Sequence, residues 1–457
     1  MKKRLLAILF ATVLCGITFS IDSQAVEIAE VPADQVDSVL YQQVDSNTLE
    51  KWPEGPSIYS ESGIVMDMDS GAILYAKNID DKHYPASITK VLTALVALEN
   101  TEMTDTVTFA WEDISFLEYG DAHIAMKEGE EISMEEAMYG MLLASANEVS
   151  HAIGRNTAGG YDNFINMMNE KSAELGCTNS HWVNTYGLHD KKHYTSARDM
   201  ALIGSAAFEY EEFRTITNTY QYVIGKTNLT KQKRYVHQNH KMIRDWDSRY
   251  YEYCVGGKTG YTDQALTTLV TFATKGKRNF VAVTLRTHGG GNNAYADTKK
   301  MLNYAFKYFD KVTVDEGNIG NEKVAYVSED SYVMLPEGIT LEDCESSFTP
   351  PTELGDVNGK VSYTYQGQPV GDVEVKITDA YYNEIHGIVE EEPEKETRPV
   401  QKDKTKGISP VLIIIACVVA VLAAGFLVLI GKVNYERKKA EERRREARRR
   451  MREEWDR

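Results

Sequence analysis

Residues 84–98, Tyr-Pro-Ala-Ser-Ile-Thr-Lys running without a break into Val-Leu-Thr-Ala-Leu-Val-Ala-Leu, constrain this chain more than any other stretch. The run from Val91 to Leu98 carries no charge, so it reads as a helix buried on every side rather than an amphipathic surface helix. Pro85 suits the start of such a helix, because the N–H that proline lacks has no intrahelical partner there. Ser87 then falls in the first turn and Lys90 one turn on. Residues three apart share a helix face, so the amine reaches the hydroxyl, and the positive helix end favours an anion forming there. That is a nucleophile with a base beside it. Taken alone, the same pattern also describes a helix cap and a solvated lysine.

Two later fragments change that balance. Ser145-Ala146-Asn147 follows the apolar run 137–144, and Lys258-Thr259-Gly260 follows Cys254-Val255-Gly256-Gly257 and precedes Tyr261-Thr262. In order along the chain they read S-x-x-K, S-x-N and K-T-G.

Composition narrows the partners. The net charge is −18, while residues 1–25 carry +2 and residues 432–457 carry +5, leaving −25 in between. A phosphate backbone needs a basic surface, so no nucleic acid is expected. Of 5 cysteines, Cys15 lies in the leader and Cys417 in an apolar C-terminal run. Cys177, Cys254 and Cys344 remain, at spacings that give neither a disulfide framework nor a paired metal motif; free thiols are the expectation. His189/His193 and His237/His240 invite a metal reading but lack a third ligand, so no metal is assigned.

Residues 1–25 pair a basic start with an apolar core and small residues before 26, as a secretory signal peptide does. Residues 26–56 read as an extended or loosely ordered lead-in. Two apolar runs about Asp69-Ser70-Gly71 form a hairpin. Helices are expected at about 133–144, 146–158, 161–176 and 294–309, and strands at 215–227 and 267–287. A mixed α/β domain over 57–310 accounts for this order. Short alternating runs over 311–390 predict a small all-β domain. Charged, proline-containing residues 391–409 form a linker. Residues 410–431 contain an uncharged run long enough to cross a bilayer, and the basic tail 432–457 marks its own side as cytoplasmic. The expected arrangement is a single-pass membrane protein whose globular part lies on the extracytoplasmic side, in contact with membrane lipid.

The ordered trio resembles the motif set of penicillin-binding proteins and serine β-lactamases. Residues 57–310 are similar to the serine D-alanyl-D-alanine carboxypeptidases, the low-molecular-weight penicillin-binding proteins, also in Leu175-Gly176, Asn184-Thr185-Tyr186-Gly187-Leu188 and His193 through Met200. The resemblance extends less specifically to the β-rich region. It implies a penicillin-binding, transpeptidase-like α/β fold that works without a cofactor on peptidoglycan pentapeptide stems ending in D-Ala-D-Ala, with β-lactams as inhibitors. Residue by residue it makes Ser87 the acylated nucleophile, Lys90 its base and Ser145 the proton carrier to the leaving amine. Asn147 would hold the substrate amide and the Lys90 amine, and Lys258 with Thr259 would grip the terminal carboxylate. Gly260 would let the strand edge approach the substrate, and the N–H groups of Ser87 and Tyr261 would form the oxyanion hole.

Three departures and three rivals belong with this reading. Leu266, not glycine, follows Ala265; Gly289 to Asn293 lacks the arginine that relatives often place there, leaving Arg286 as the nearby candidate; and the anchor spans rather than lies on the membrane. A DD-endopeptidase and a β-lactamase are the enzymatic alternatives, but no E-x-x-L-N segment follows the S-x-N fragment to serve the latter. A β-lactam or muropeptide receptor that acylates without turnover is the alternative of a different class.

Overall fold

The computed structural model describes residues 36–388 apart from Leu354; the proposed signal peptide, linker, membrane span and basic tail lie outside them. Among the described residues no helix is long and apolar enough to cross a membrane.

A five-stranded antiparallel sheet forms the centre. Its strands are β1 (Ser60–Asp67), β2 (Ile73–Lys77), β3 (Cys254–Thr262), β4 (Leu266–Lys275) and β5 (Arg278–Thr287), in the order β2-β1-β5-β4-β3. The β1–β2 turn is closed by Asp67, whose carboxylate accepts from the Ser70 backbone N–H and hydroxyl at 2.9 and 2.8 Å. Alternation along the strands splits two cores. Ile64, Met66, Val270, Phe272, Val281 and Val283 face one side, and Val65, Leu269, Ala273, Phe280 and Ala282 the other.

The first core holds α1 (Lys90–Asn100), on which α2 (Met134–Leu143), α3 (Asn147–Thr157), α4 (Tyr161–Glu174) and α5 (Ala197–Phe208) pack. Every residue of α1 from Lys90 to Ala97 is buried, as the uncharged run required. Helix α6 (Glu211–Thr217) adds Phe213 and Ile216 to this first core; the second core is covered chiefly by the long helix α7 (Gly291–Tyr308), which crosses β1, β4 and β5. Fully buried helices such as α1 add little surface amphipathicity but place a large apolar area out of water.

Several elements differ from expectation. Helix α1 begins at Lys90; Ala86–Thr89 is a 3-10 turn, entered through Ala86 in the left-handed region at φ 51°. Residues 215–217 end a helix instead of opening a strand, because Phe213, Ile216 and Thr217 bury one face at helical spacing; only Gln221–Ile224 is extended. Helix α5, capped by the Ser196 hydroxyl accepting from the Asp199 N–H, was not anticipated.

The C-terminal region pairs β6 (Phe309–Thr313) with β8 (Tyr332–Pro336), and β7 (Val324–Val327), β9 (Glu345–Thr349), β10 (Asn358–Tyr365) and β11 (Gln368–Ile377) form a second sheet, β7-β11-β10-β9. It also carries short helices at Glu316–Ile319 and Asp379–His386, so it is β-rich but not all-β. Its Val333, Val361, Val370 and Val373 share the second core with the central sheet.

The described part of the lead-in is ordered. Lys77, fully buried in β2, donates to the carbonyls of Val39, Ile58 and Ser60 at 2.8, 3.1 and 2.8 Å. Trp52 packs on Phe309 and Tyr365, with ring centroids 5.0 and 6.0 Å away. A polar-looking segment thus binds through one tryptophan and its carbonyls, neither of which produces a periodic pattern. Cys177, Cys254 and Cys344 are free thiols.

Candidate active site

Three element ends converge on one cleft of about 650 Å³, lined by Ser87, Ser145, Thr259, Gly260 and Tyr261 among others. Ser87 stands on the 3-10 turn before α1, and Lys90 is the first residue of that helix. Ser145 occupies the tight link between α2 and α3 at φ 63°, a left-handed conformation that costs a non-glycine residue energy and tends to collect at functional sites. Asn147 opens α3. Lys258 to Tyr261 lie on β3, the edge strand of the sheet.

The contacts are specific. The Lys90 amine lies 3.2 Å from Ser87 Oγ and 2.7 Å from both Asn147 Oδ1 and the Tyr186 carbonyl. A neutral amine has two N–H groups and one lone pair. The two short contacts go to oxygens that only accept, so they take the N–H groups and turn the lone pair toward the Ser87 hydroxyl. Burial, with the Lys258 charge adding to it, holds the Lys90 pKa well below the ordinary lysine range.

Lys258 is 1% exposed and its amine donates to Ser145 Oγ at 2.9 Å and to the Thr259 carbonyl at 2.8 Å. Burial pushes its pKa down to about 7. The two lysines and two serines therefore form two amine–hydroxyl pairs, and the structure brings together Ser87, Lys90, Ser145, Asn147, Lys258, Thr259, Gly260 and Tyr261.

Gly260 has a role beyond the one expected. A Cβ there would stand 2.4 Å from Thr268 Oγ1, 2.9 Å from the Ser87 nitrogen and 3.0 Å from the Pro85 carbonyl. Its bareness lets the nucleophile's own turn sit against the strand. Thr268 Oγ1 fixes that turn by donating to the Pro85 carbonyl at 2.8 Å.

Sequence reasoning missed the braces behind the nucleophile. His193 Nε2–H donates to Thr89 Oγ1 at 2.8 Å, and the Thr89 hydroxyl donates to the Ala86 carbonyl at 2.8 Å. His193 Nδ1 accepts from the Val183 N–H at 3.2 Å, and burial holds this ring neutral with a pKa of about 3. His240 Nε2 pairs with Thr271 Oγ1 at 2.8 Å. Among the described residues no group of three or more His, Cys, Asp or Glu side chains is placed to hold a metal ion. Asn184 Oδ1 accepts from the Tyr186 and Gly187 N–H groups at 3.2 and 2.6 Å, turning the Tyr186 carbonyl toward Lys90. The Asn-x-x-Gly spacing of a side-chain-closed turn was the available signal for that carbonyl. Arg286, the nearby candidate for anion binding, is buried and donates to Glu61 Oε1 at 2.9 Å and, in a short contact, to the Gln264 carbonyl.

Comparison with known proteins decides the family. The sequence profile of the D-alanyl-D-alanine carboxypeptidases matches residues 49–289, more than half the chain. The chain belongs to that family. It is 30% identical over 256 residues to the D-alanyl-D-alanine carboxypeptidase DacF of Bacillus subtilis, a match covering 55% of this chain and 63% of that protein. To DacA of Escherichia coli it is 29% identical over 356 residues, covering 71% of this chain and 84% of the relative. Among solved structures, the Streptomyces K15 DD-transpeptidase superposes with a TM-score of 0.51 at 25% identity, over 56% of this chain and 99% of that one. The D-alanyl-D-alanine carboxypeptidase fold thus spans the region that carries all eight cleft residues.

Proposed function

We propose that this chain is a serine D-Ala-D-Ala carboxypeptidase that removes the terminal D-alanine from peptidoglycan stem peptides. The observation that carries the reading is the buried Lys90 amine, its pKa held well below the ordinary lysine range by burial and the Lys258 charge, facing Ser87 Oγ at 3.2 Å. Lys90 takes the Ser87 proton as Oγ attacks the penultimate carbonyl, whose oxygen turns toward the Ser87 and Tyr261 N–H groups. Ser145 passes a proton to the departing amine and is resupplied through its contact with Lys258. The C–N bond breaks, D-alanine leaves, and the shortened stem remains esterified to Ser87. Lys90 then gives up the Ser87 proton, and Lys258 regains one, through solvent; a water gives its proton to the neutral Lys90 amine and attacks the ester carbonyl, and that proton passes to Ser87 Oγ as the ester C–O bond breaks and the shortened stem leaves. Asn147 holds the Lys90 amine and the substrate amide, and Thr259 faces the substrate's terminal end. A β-lactam presents an equivalent amide and acylates the same hydroxyl.

The same reading places the enzyme outside the cell, anchored by residues 410–431 with membrane lipid around it and the basic tail inside. The uncharged run and the basic residues that follow it support this arrangement. Incubation with a diacetylated tripeptide ending in D-Ala-D-Ala releases D-alanine if the reading holds. Ser87→Ala abolishes both this release and penicillin labelling; labelling that survives the substitution rules Ser87 out as the nucleophile. A stable penicilloyl adduct on a chain that releases no D-alanine instead identifies a receptor.

A further inference from the structure

The cleft needs a cation for the free carboxylate at the end of such a peptide, and Lys258, though next to Thr259, is only 1% exposed. The Lys258 amine spends its contacts on Ser145 Oγ and the Thr259 carbonyl, both inside the protein. Its burial also pushes its pKa down to about 7, so its charge is not permanent at neutral pH. A group with that placement suits proton supply to Ser145 better than permanent charge pairing.

The opposite wall carries another cation. Arg249, on the loop ahead of β3, lines the same cleft as Ser87 and Thr259, together with Asn292 and Tyr295 from the start of α7. Its Nε and Nη2 donate to the two oxygens of Asp247 at 2.6 and 2.8 Å, and its Nη1 donates to Asn292 Oδ1 at 3.1 Å. The guanidinium centre stands 5.8 Å from the Tyr295 ring. A guanidinium has five N–H groups; these contacts use three and leave one on each terminal nitrogen. The side chain remains 28% exposed and lines the cleft. Unlike a buried lysine, it does not lose its charge near neutral pH.

We propose that Arg249 is the side chain that binds the substrate's terminal carboxylate, and that Asp247 is a positioning residue holding the guanidinium at the cleft wall. This rests on the carboxypeptidase reading of the site. Asp247 fixes the fork from behind while Asn292 fixes one edge, so the arginine is oriented before substrate arrives. Recognition is then by directed N–H groups more than by net charge, because Asp247 offsets the charge.

The test compares a D-Ala-D-Ala peptide bearing a free carboxylate with the same peptide amidated at its C-terminus, using the full chain. Arg249→Gln lowers kcat/KM for the acid roughly 10- to 100-fold, mainly through KM, and lowers that for the amide far less. The acid-to-amide preference therefore collapses. Arg249→Lys restores part of it, and Asp247→Asn weakens it less than Arg249→Gln does. A preference that survives Arg249→Gln overturns the proposal, whatever happens to overall activity. So does a preference that collapses on Lys241→Gln instead, since Lys241 lines the same cleft. If the wild-type chain releases no D-alanine, the carboxypeptidase reading has failed separately. The same comparison is then made on Ser87 acylation by penicillin and by its methyl ester, where Arg249→Gln again removes the preference for the acid.

Discussion

At the scale of single residues the cleft is governed by two amines with different duties. Lys90 has to be unprotonated to take the Ser87 proton, and part of what keeps it so is the charge on Lys258. Lys258→Gln removes that charge, so the Lys90 pKa rises and a larger fraction of the amine is protonated at any given pH. The acid limb of β-lactam acylation then moves to higher pH, in addition to any loss from the broken Ser145 contact. A pH profile of penicillin acylation measures this; a limb that stays in place shows that burial alone sets the Lys90 pKa. The three-residue spacing of Ser87 and Lys90 was legible because a helical turn turns sequence distance into spatial distance. Arg249 and His193 were not legible. Each reaches its place through a loop whose path depends on tertiary packing, and no local period reports that path.

At the scale of elements, the nucleophile's turn is held between two glycines. A Cβ on Gly260 would lie 2.9 Å from the Ser87 nitrogen, and one on Gly187, at φ 89°, only 1.9 Å from the Ala86 carbonyl. Gly260→Ala pushes the turn from β3 and separates the Ser87 and Tyr261 N–H groups. Losing one oxyanion donor costs about 100- to 1,000-fold in rate, and the expected fall in acylation is of that order, with the melting temperature only modestly changed. Penicillin acylation kinetics and a thermal melt on the same sample separate the two effects. A normal acylation rate in a folded Gly260→Ala chain would show that the strand does not set the oxyanion geometry. Helices α2, α3, α4 and α7 were readable to within a few residues from their apolar runs and spacing, and the strands Leu266–Lys275 and Arg278–Thr287 from their continuous apolar runs, whereas α5 was missed. The error at 215–217 has a physical origin. A seven-residue helix gives too few turns to show its period against the β-branched threonines and isoleucine it contains.

At the scale of the whole molecule, one apolar core joins three parts of the chain. Trp52 from the lead-in, Phe306 from α7 and Tyr365 from β10 are all buried in it, with Phe280 of the central sheet. Hydrogen bonds cross the same boundary: the Tyr365 hydroxyl donates to the Glu50 carbonyl at 2.8 Å, and Tyr332 donates to Asp67 Oδ1 at 2.9 Å. The nucleophile and its base stand on the other core, where α1 lies, while Leu269, Ala294 and Tyr295 of this core line the cleft's other wall, away from Trp52. The loss of Trp52 is therefore separable from the chemistry of Ser87 and Lys90. Trp52→Ala removes a side chain that is 7% exposed and packs against two aromatic rings, a loss of about 3–5 kcal/mol for a well-packed tryptophan. The urea midpoint falls accordingly, whereas the penicillin acylation rate of the still-folded protein at low temperature stays close to that of the wild type. Ser87 and Lys90 depend on α1, β3 and the 184–188 turn, none of which touches Trp52 in this core. If acylation slows in proportion to the lost stability, the lead-in reaches the cleft through the sheet, and the separation of the two cores does not hold.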